Sequence, residues 1–161
     1  MQRRTLTAAL CGAAVLAFGL TGCGEKAPEA PKAVTLTVGA TPVPHADILK
    51  FIEPTLKKEG VNLKVVEFSD YVKPNLALSD KELDANFFQH KPYLDMFSAE
   101  RGLKLSVLCS VHIEPMGVYS RKVKSLKDLP EGAKIAIPND PTNGGRALKV
   151  LADAGLFGLK D

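Results

Sequence analysis

Val34-Thr-Leu-Thr-Val-Gly-Ala-Thr-Pro-Val-Pro-His-Ala-Asp-Ile-Leu-Lys-Phe-Ile-Glu-Pro-Thr-Leu-Lys-Lys-Glu-Gly-Val-Asn-Leu-Lys-Val-Val-Glu-Phe68 decides the fold class. Val34 to Val38 alternates apolar and polar residues and is closed by Gly39, which predicts a strand. Ala40 to His45 is a turn, with Pro44 suited to a first helical position. Ile48, Leu49, Ile52 and Leu56 recur at helical spacing up to Gly60, and Pro54 is expected to kink or split that helix. Leu63 to Phe68 is a second strand. The order β-α-β predicts a parallel pair joined by a right-handed crossover.

The same alternation continues outward. Ser69-Asp70 can cap a helix over Tyr71 to Ser79, and Leu83 to Phe88 is a short strand or a strand-like loop. Pro92 to Glu100 is a helix with Tyr93, Leu94 and Phe97 on one side. Leu103 to Ile113, Met116 to Ser120 and Lys134 to Ile137 are expected to be extended, and Arg146 to Ala154 helical. Strands alternating with helices favour an α/β fold with a mostly parallel sheet. The basic stretch from Ser120 to Pro130 reads as a boundary between two units. No internal repeat is present.

Composition bounds the function. The 161 residues are 45% hydrophobic and 24% charged, an ordinary globular balance. The formal charge is +3; without Arg3 and Arg4 the count is 19 basic against 18 acidic residues, or +1. No basic stripe with interleaved aromatics occurs, which excludes a nucleic-acid partner. The amino terminus reads as a leader. Met1 to Arg4 is a short positive start, and Thr5 to Leu20 is uncharged and rich in Ala and Leu, too short for a stable membrane span. Leu20-Thr-Gly-Cys23 follows, an aliphatic residue and two small ones before a cysteine, the pattern of a bacterial lipobox. Residues 1–22 are therefore expected to be a lipoprotein signal peptide and Cys23 the lipidated residue. Residues 23–33, rich in Pro and charge, read as a flexible tether. Acyl chains at Cys23 anchor the protein to a membrane and place it in the cell envelope, outside the cytoplasm. Cys109, in an apolar run, is expected to be a small buried side chain.

Two segments can carry binding chemistry. Asn86-Phe-Phe-Gln-His-Lys-Pro-Tyr93 gathers aromatics, an amide and an imidazole at a strand-to-helix junction, where open α/β sheets bind ligands. Phe88, His90 and Tyr93 can line an apolar pocket with polar handles, or Phe87, Phe88 and Tyr93 can be core with His90 a capping or surface residue. Pro138-Asn-Asp-Pro-Thr-Asn-Gly-Gly-Arg146 follows a predicted strand and opens a helix. Gly144 and Gly145 with free amides at the helix start suggest an anion seat, and Arg146 can hold a carboxylate through paired hydrogen bonds. Phosphate is the rival anion, and a plain turn with a solvent-facing Arg146 the other reading. There is no GxxxxGK[ST] or GxGxxG, so a nucleotide has no support. His45, His90 and His112 are widely separated in sequence without clustered carboxylates, so no metal site is expected. GxSxG is absent, and Cys109 has no activating neighbour in sequence, so an exported hydrolase lacks a nucleophile.

Taken together, several strings resemble the methionine-binding lipoproteins of bacterial ABC importers, the NLPA family. They are Leu20-Thr-Gly-Cys23, Val38 to Ala46, Glu67 to Asn75, Asp84-Ala-Asn-Phe-Phe-Gln-His-Lys-Pro-Tyr-Leu-Asp95, Glu114 to Ser120 and Pro138 to Arg146. The similarity runs from Cys23 to Asp161. It implies a periplasmic-binding-protein-like (type II) two-lobed α/β fold, with a first lobe at 34–120 and the start of a second at 121–161. It implies no enzymatic activity and no cofactor. Methionine would lie in the cleft, with Tyr71, Phe88, His90 and Tyr93 around its thioether and Asn143 and Arg146 at its α-carboxylate. Soft sulfur suits aromatic ring edges. A permease and its ATPase would take the ligand inward. D-methionine, a methionyl peptide or another amino acid are the rival ligands, and a surface lipoprotein without transport the rival role. Family members run to roughly twice the mature length, and the part beyond supplies an asparagine for the α-amino group. The expectation is therefore a fragment that binds methionine weakly or not at all by itself.

Overall fold

The computed structural model describes residues 33–160, so the expected leader, Cys23 and nearly all of the tether lie outside the described residues. Three parallel strands form the sheet. β1 (Val34–Ala40) is central, flanked by β2 (Val61–Glu67) and β3 (Ala85–Phe87). Val34 pairs with Val61 and Ala40 with Glu67, while Val38 faces Ala85 and Ala40 faces Phe87. The expected parallel β-α-β unit is present. β1 becomes progressively buried towards its carboxyl end, where Val38, Gly39 and Ala40 lie between both neighbours. Parallel strands covered on both faces favour such short apolar runs.

α1 (Asp47–Lys58) crosses from β1 to β2. It passes through Pro54 as one element rather than splitting. Pro54 is exposed, so water can satisfy the carbonyl that a proline cannot bond. Pro44 does not open this helix either. It sits in a tight turn, Pro42–Ala46, where Val43 is extended, and α1 begins at Asp47. α2 (Lys73–Ser79) starts two residues later than expected, because the Asp70 carboxylate accepts the backbone N–H of Val72 and Lys73 and holds Tyr71 in the preceding turn. α3 (Lys91–Arg101) ends at Gly102, whose φ of 64° is a left-handed stop that glycine adopts without a Cβ clash.

Two apolar clusters fill the interior. Val38, Ala40, Ala46 and Leu49 pack with Leu63, Val65 and Phe87 on one side of the sheet. Phe88, Tyr93 and Phe97 pack with Leu76, Met96 and Leu103 beneath α3. A polar knot joins α2 to β3: wholly buried Asn75 exchanges hydrogen bonds of 2.8 Å with Gln89, and Asn86 donates to Asn75 at 2.9 Å.

The chain beyond α3 differs from expectation. Residues 103–119 carry no strand pairing among the described residues, nor do 133–138. A strand needs a ladder partner, and these apolar runs have none here. Ile113 is 92% exposed, and Cys109 is exposed rather than buried. The basic connector is held by Ser120, whose hydroxyl accepts from Lys122 and Val123, and by a single turn over Leu126–Asp128. α4 (Pro141–Asp153) follows; it buries Ala147 and Leu151 and packs against α3. No described helix is long and apolar enough to cross a membrane.

Candidate functional site

A cleft of about 800 Å³ opens where the carboxyl ends of β1 and β3 meet the amino end of α4. Its lining comes from five places distant in sequence: His45, Tyr71, Phe87 to His90 with Pro92, His112 to Met116, and residues between Pro138 and Arg146. Parallel α/β sheets leave such a crevice at their carboxyl edge, because the helices depart there.

One wall is aromatic. Phe88, only 2% exposed, follows β3 directly, and its ring lies 5.4 Å from Tyr71. Tyr71 is the exposed face of this wall at 44%. Tyr93 is a supporting residue instead. It is buried, does not line the cleft, and its hydroxyl donates to the Tyr71 carbonyl at 2.8 Å. It stacks on Phe97 at 5.6 Å, which ties the wall to the core. His90 is the first residue before α3, in extended conformation, and its ring caps nothing. Its Nε2 is buried without a partner among the described residues. Burial lowers the His90 pKa; the Arg146 charge adds to that and Asp140 opposes it. The ring is therefore held towards its neutral form. Burial raises the Tyr71 pKa, with Glu114 and Asp140 adding to the rise.

The facing wall corrects the expected anion seat. α4 begins at Pro141, so Gly144 and Gly145 lie within the helix rather than in a loop before it. The helix start is already filled by its own chain: Asp140 accepts the Asn143 backbone N–H at 2.9 Å, the Asn143 side chain at 3.0 Å and the Thr142 hydroxyl. Partial burial pushes the Asp140 pKa up, but these bonds outweigh it and the net shift is down. A carboxylate cap of this kind occupies the amides an external anion would need. Gly144 serves packing, since a Cβ there would meet the Pro138 carbonyl at 3.1 Å. What remains for an anion is Arg146. Its guanidinium donates to Asn143 Oδ1 at 3.1 Å and to the Glu114 carbonyl at 3.0 Å, which fixes the fork and leaves its other donors uncommitted among the described residues.

Five of the six expected ligand residues thus line one cleft: Tyr71, Phe88, His90, Asn143 and Arg146. The sequence reading missed His45, Phe87, His112, Glu114 and Asp140. For His112 and Glu114 a signal existed. Residues two apart on an extended segment point to the same side, and the pair meets at 2.9 Å. His45 gave none, because only the turn before α1 carries it to them.

Known proteins resemble the chain in sequence and in fold. The sequence pattern of NlpA lipoproteins matches residues 36–161. The methionine-binding lipoprotein MetQ of Bacillus subtilis is 46% identical over 92% of this chain and 55% of its own length. The D-methionine-binding lipoprotein MetQ of Escherichia coli K12 is 44% identical over 96% and 56%. A nutrient-binding protein from Burkholderia cenocepacia, solved bound to methionine, superposes with a TM-score of 0.73 at 49% identity, over 78% of this chain and 53% of that one. The chain spans about half the length of the relatives it matches. Its described residues cover part of the two-lobed α/β fold of substrate-binding proteins. The chain belongs to the NlpA lipoprotein family.

Proposed function

We propose that this chain is the ligand-capturing part of a lipoprotein that binds methionine outside the cytoplasm and presents it to an ABC-type permease. The observation that carries the reading is a fixed guanidinium, Arg146, across one cleft from an aromatic wall of Tyr71 and Phe88. An amino acid with an apolar, polarizable side chain has complementary ends. Its α-carboxylate takes the Arg146 fork beside Asn143, and its thioether lies against ring edges. His90 offers the buried Nε2 to the ligand, and Tyr93 positions Tyr71 from behind. The role is capture, not catalysis, and it needs no cofactor. The Burkholderia relative bound to methionine supports the ligand, and a relative from Coxiella burnetii described as a periplasmic substrate-binding protein of an ABC transporter supports the partner. In this reading 34–120 is the first lobe and 121–161 the start of the second. Cys23 carries the lipid that holds both at a membrane surface in the envelope.

The E. coli relative is described as D-methionine-binding, which keeps D-methionine as a second ligand. Titration of the isotope-labelled full chain with each enantiomer, followed by NMR, detects binding down to millimolar affinity. Shifts are expected at Tyr71, Phe88 and His90. Arg146→Ala removes hydrogen bonds to a charged group and should weaken binding about a hundredfold. Absence of any shift with either enantiomer at millimolar concentration, both in this chain and in a chimera completed with the remaining part of the B. subtilis relative, overturns the proposal. A response confined to the D form assigns the second ligand.

A further inference from the structure

We propose that His45, His112 and Glu114 form a binding site for a divalent transition-metal ion of the zinc class on the wall of the cleft. The three side chains come from the turn before α1 and from the extended segment 103–119. Their ligand atoms all lie within 4.8 Å of one another. Glu114 Oε1 sits 2.9 Å from His112 Nε2 and 3.6 Å from His45 Nε2. Zinc–nitrogen and zinc–oxygen bonds of about 2.1 Å put tetrahedral ligand atoms about 3.4 Å apart, so the two observed distances bracket what an ion requires.

The surroundings favour coordination over a plain ion pair. His45 is 5% exposed, and its Nδ1 meets the Thr41 hydroxyl at 2.7 Å. A partner on Nδ1 orients a ligating imidazole and leaves Nε2 for the metal. Phe87 fixes both rings edge to face, at 4.6 Å from His45 and 5.5 Å from His112. Two imidazoles and one carboxylate are a donor set suited to zinc. All three residues line the cleft, which leaves a fourth position open to solvent or a ligand. An ion here would also stiffen residue 114, whose carbonyl holds Arg146.

The test is a titration of the full chain, stripped with chelator and free of amino acid, with Zn²⁺ by calorimetry and Co²⁺ by absorption. One equivalent is expected to bind with a Kd tighter than about 100 µM. Co²⁺ should give visible ligand-field bands without thiolate charge transfer. His112→Gln and Glu114→Gln should each weaken binding at least tenfold while far-UV dichroism stays unchanged; both lie on an exposed segment, so the fold survives them. Weaker binding, affinity indifferent to both substitutions, or near-ultraviolet thiolate bands placing the ion on a cysteine would overturn the site. None of these outcomes depends on methionine.

Discussion

Asn75→Ala tests the polar knot beneath the aromatic wall. Asn75 is wholly buried; its Nδ2 donates to Gln89 Oε1, and its Oδ1 accepts from Gln89 Nε2 and Asn86 Nδ2. The substitution deletes three hydrogen bonds, each worth about 1 kcal/mol net. Asn86 keeps the Pro74 carbonyl at 3.1 Å, and Gln89 Nε2 keeps Asn86 Oδ1 at 3.4 Å. Gln89 Oε1 loses its partner, but Gln89 is half-buried and water can reach it, which holds the added desolvation cost to the low end of about 1–3 kcal/mol. The expected loss is about 3–4 kcal/mol, a large fraction of the stability of a domain this size. In urea unfolding followed by far-UV dichroism, with a slope of about 2 kcal/mol/M, the midpoint should fall by about 1.5–2 M. Paired with Gln89→Ala, the double-mutant cycle should show coupling of at least about 1 kcal/mol. A loss below about 1 kcal/mol at unchanged slope, or no coupling, would refute the reasoning. Gln89 lies between Phe88 and His90, so the same variant should loosen the aromatic wall of the cleft.

Two further outcomes follow from local geometry. Burial, with Arg146, sets the folded pKa of His90 below its unfolded value of about 6.5. The associated stability is therefore complete above about pH 6.5 and is lost as pH falls through the folded pKa. His90→Gln should flatten the dependence of the urea midpoint across that window, leaving the share of His45, which shifts the same way; an unchanged slope, or an imidazole titrating at or above 6.5 by NMR, contradicts it. Gly39→Ala places a Cβ 2.6 Å from Leu83 Cδ1 and 2.9 Å from the Phe68 ring. Overpacking at the central strand should cost about 1–3 kcal/mol, partly relieved by adding Leu83→Val; a neutral Gly39→Ala would show that Leu83 and Phe68 yield freely.

Much of residues 33–102 was legible because the signals there are local. Alternation in Val34 to Val38, helical spacing in α1 and α3, and Gly102 as a stop each report a backbone state that neighbours in sequence decide. The parallel pairing of β1 with β2 came with them, because a β-α-β unit admits few alternatives, whereas the register of β3 against β1 is visible only in the fold. Helix starts were less legible. Asp70 and Asp140 each bond backbone N–H groups two or three residues on, and whether that closes a turn or opens a helix depends on packing. The anion seat was misread for that reason: glycines that looked like a loop were drawn into α4, and Asp140 took the amides. Arg146 kept its place because a guanidinium reaches well beyond its own backbone.

Beyond residue 102 the limit is different in kind. Leu103 to Ile113 and Lys134 to Ile137 have strand-like composition, but pairing belongs to two segments and periodicity sees one. Here neither run has a ladder partner among the described residues, and Cys109, whose apolar neighbours promised burial, is exposed. The cleft follows the same logic. Phe88, His90 and Tyr93 announced themselves as a cluster of aromatics and imidazole near one strand end, though Tyr93 proved to stand behind the wall; Tyr71 came only with the family resemblance. His45 and His112, 67 positions apart, became neighbours at 5.2 Å only through the turn that precedes α1. Sequence alone finds chemistry that lies within one loop, and the fold adds the chemistry that two loops make together. In this cleft that addition is a pair of imidazoles around one carboxylate, beside the arginine that the sequence had already singled out.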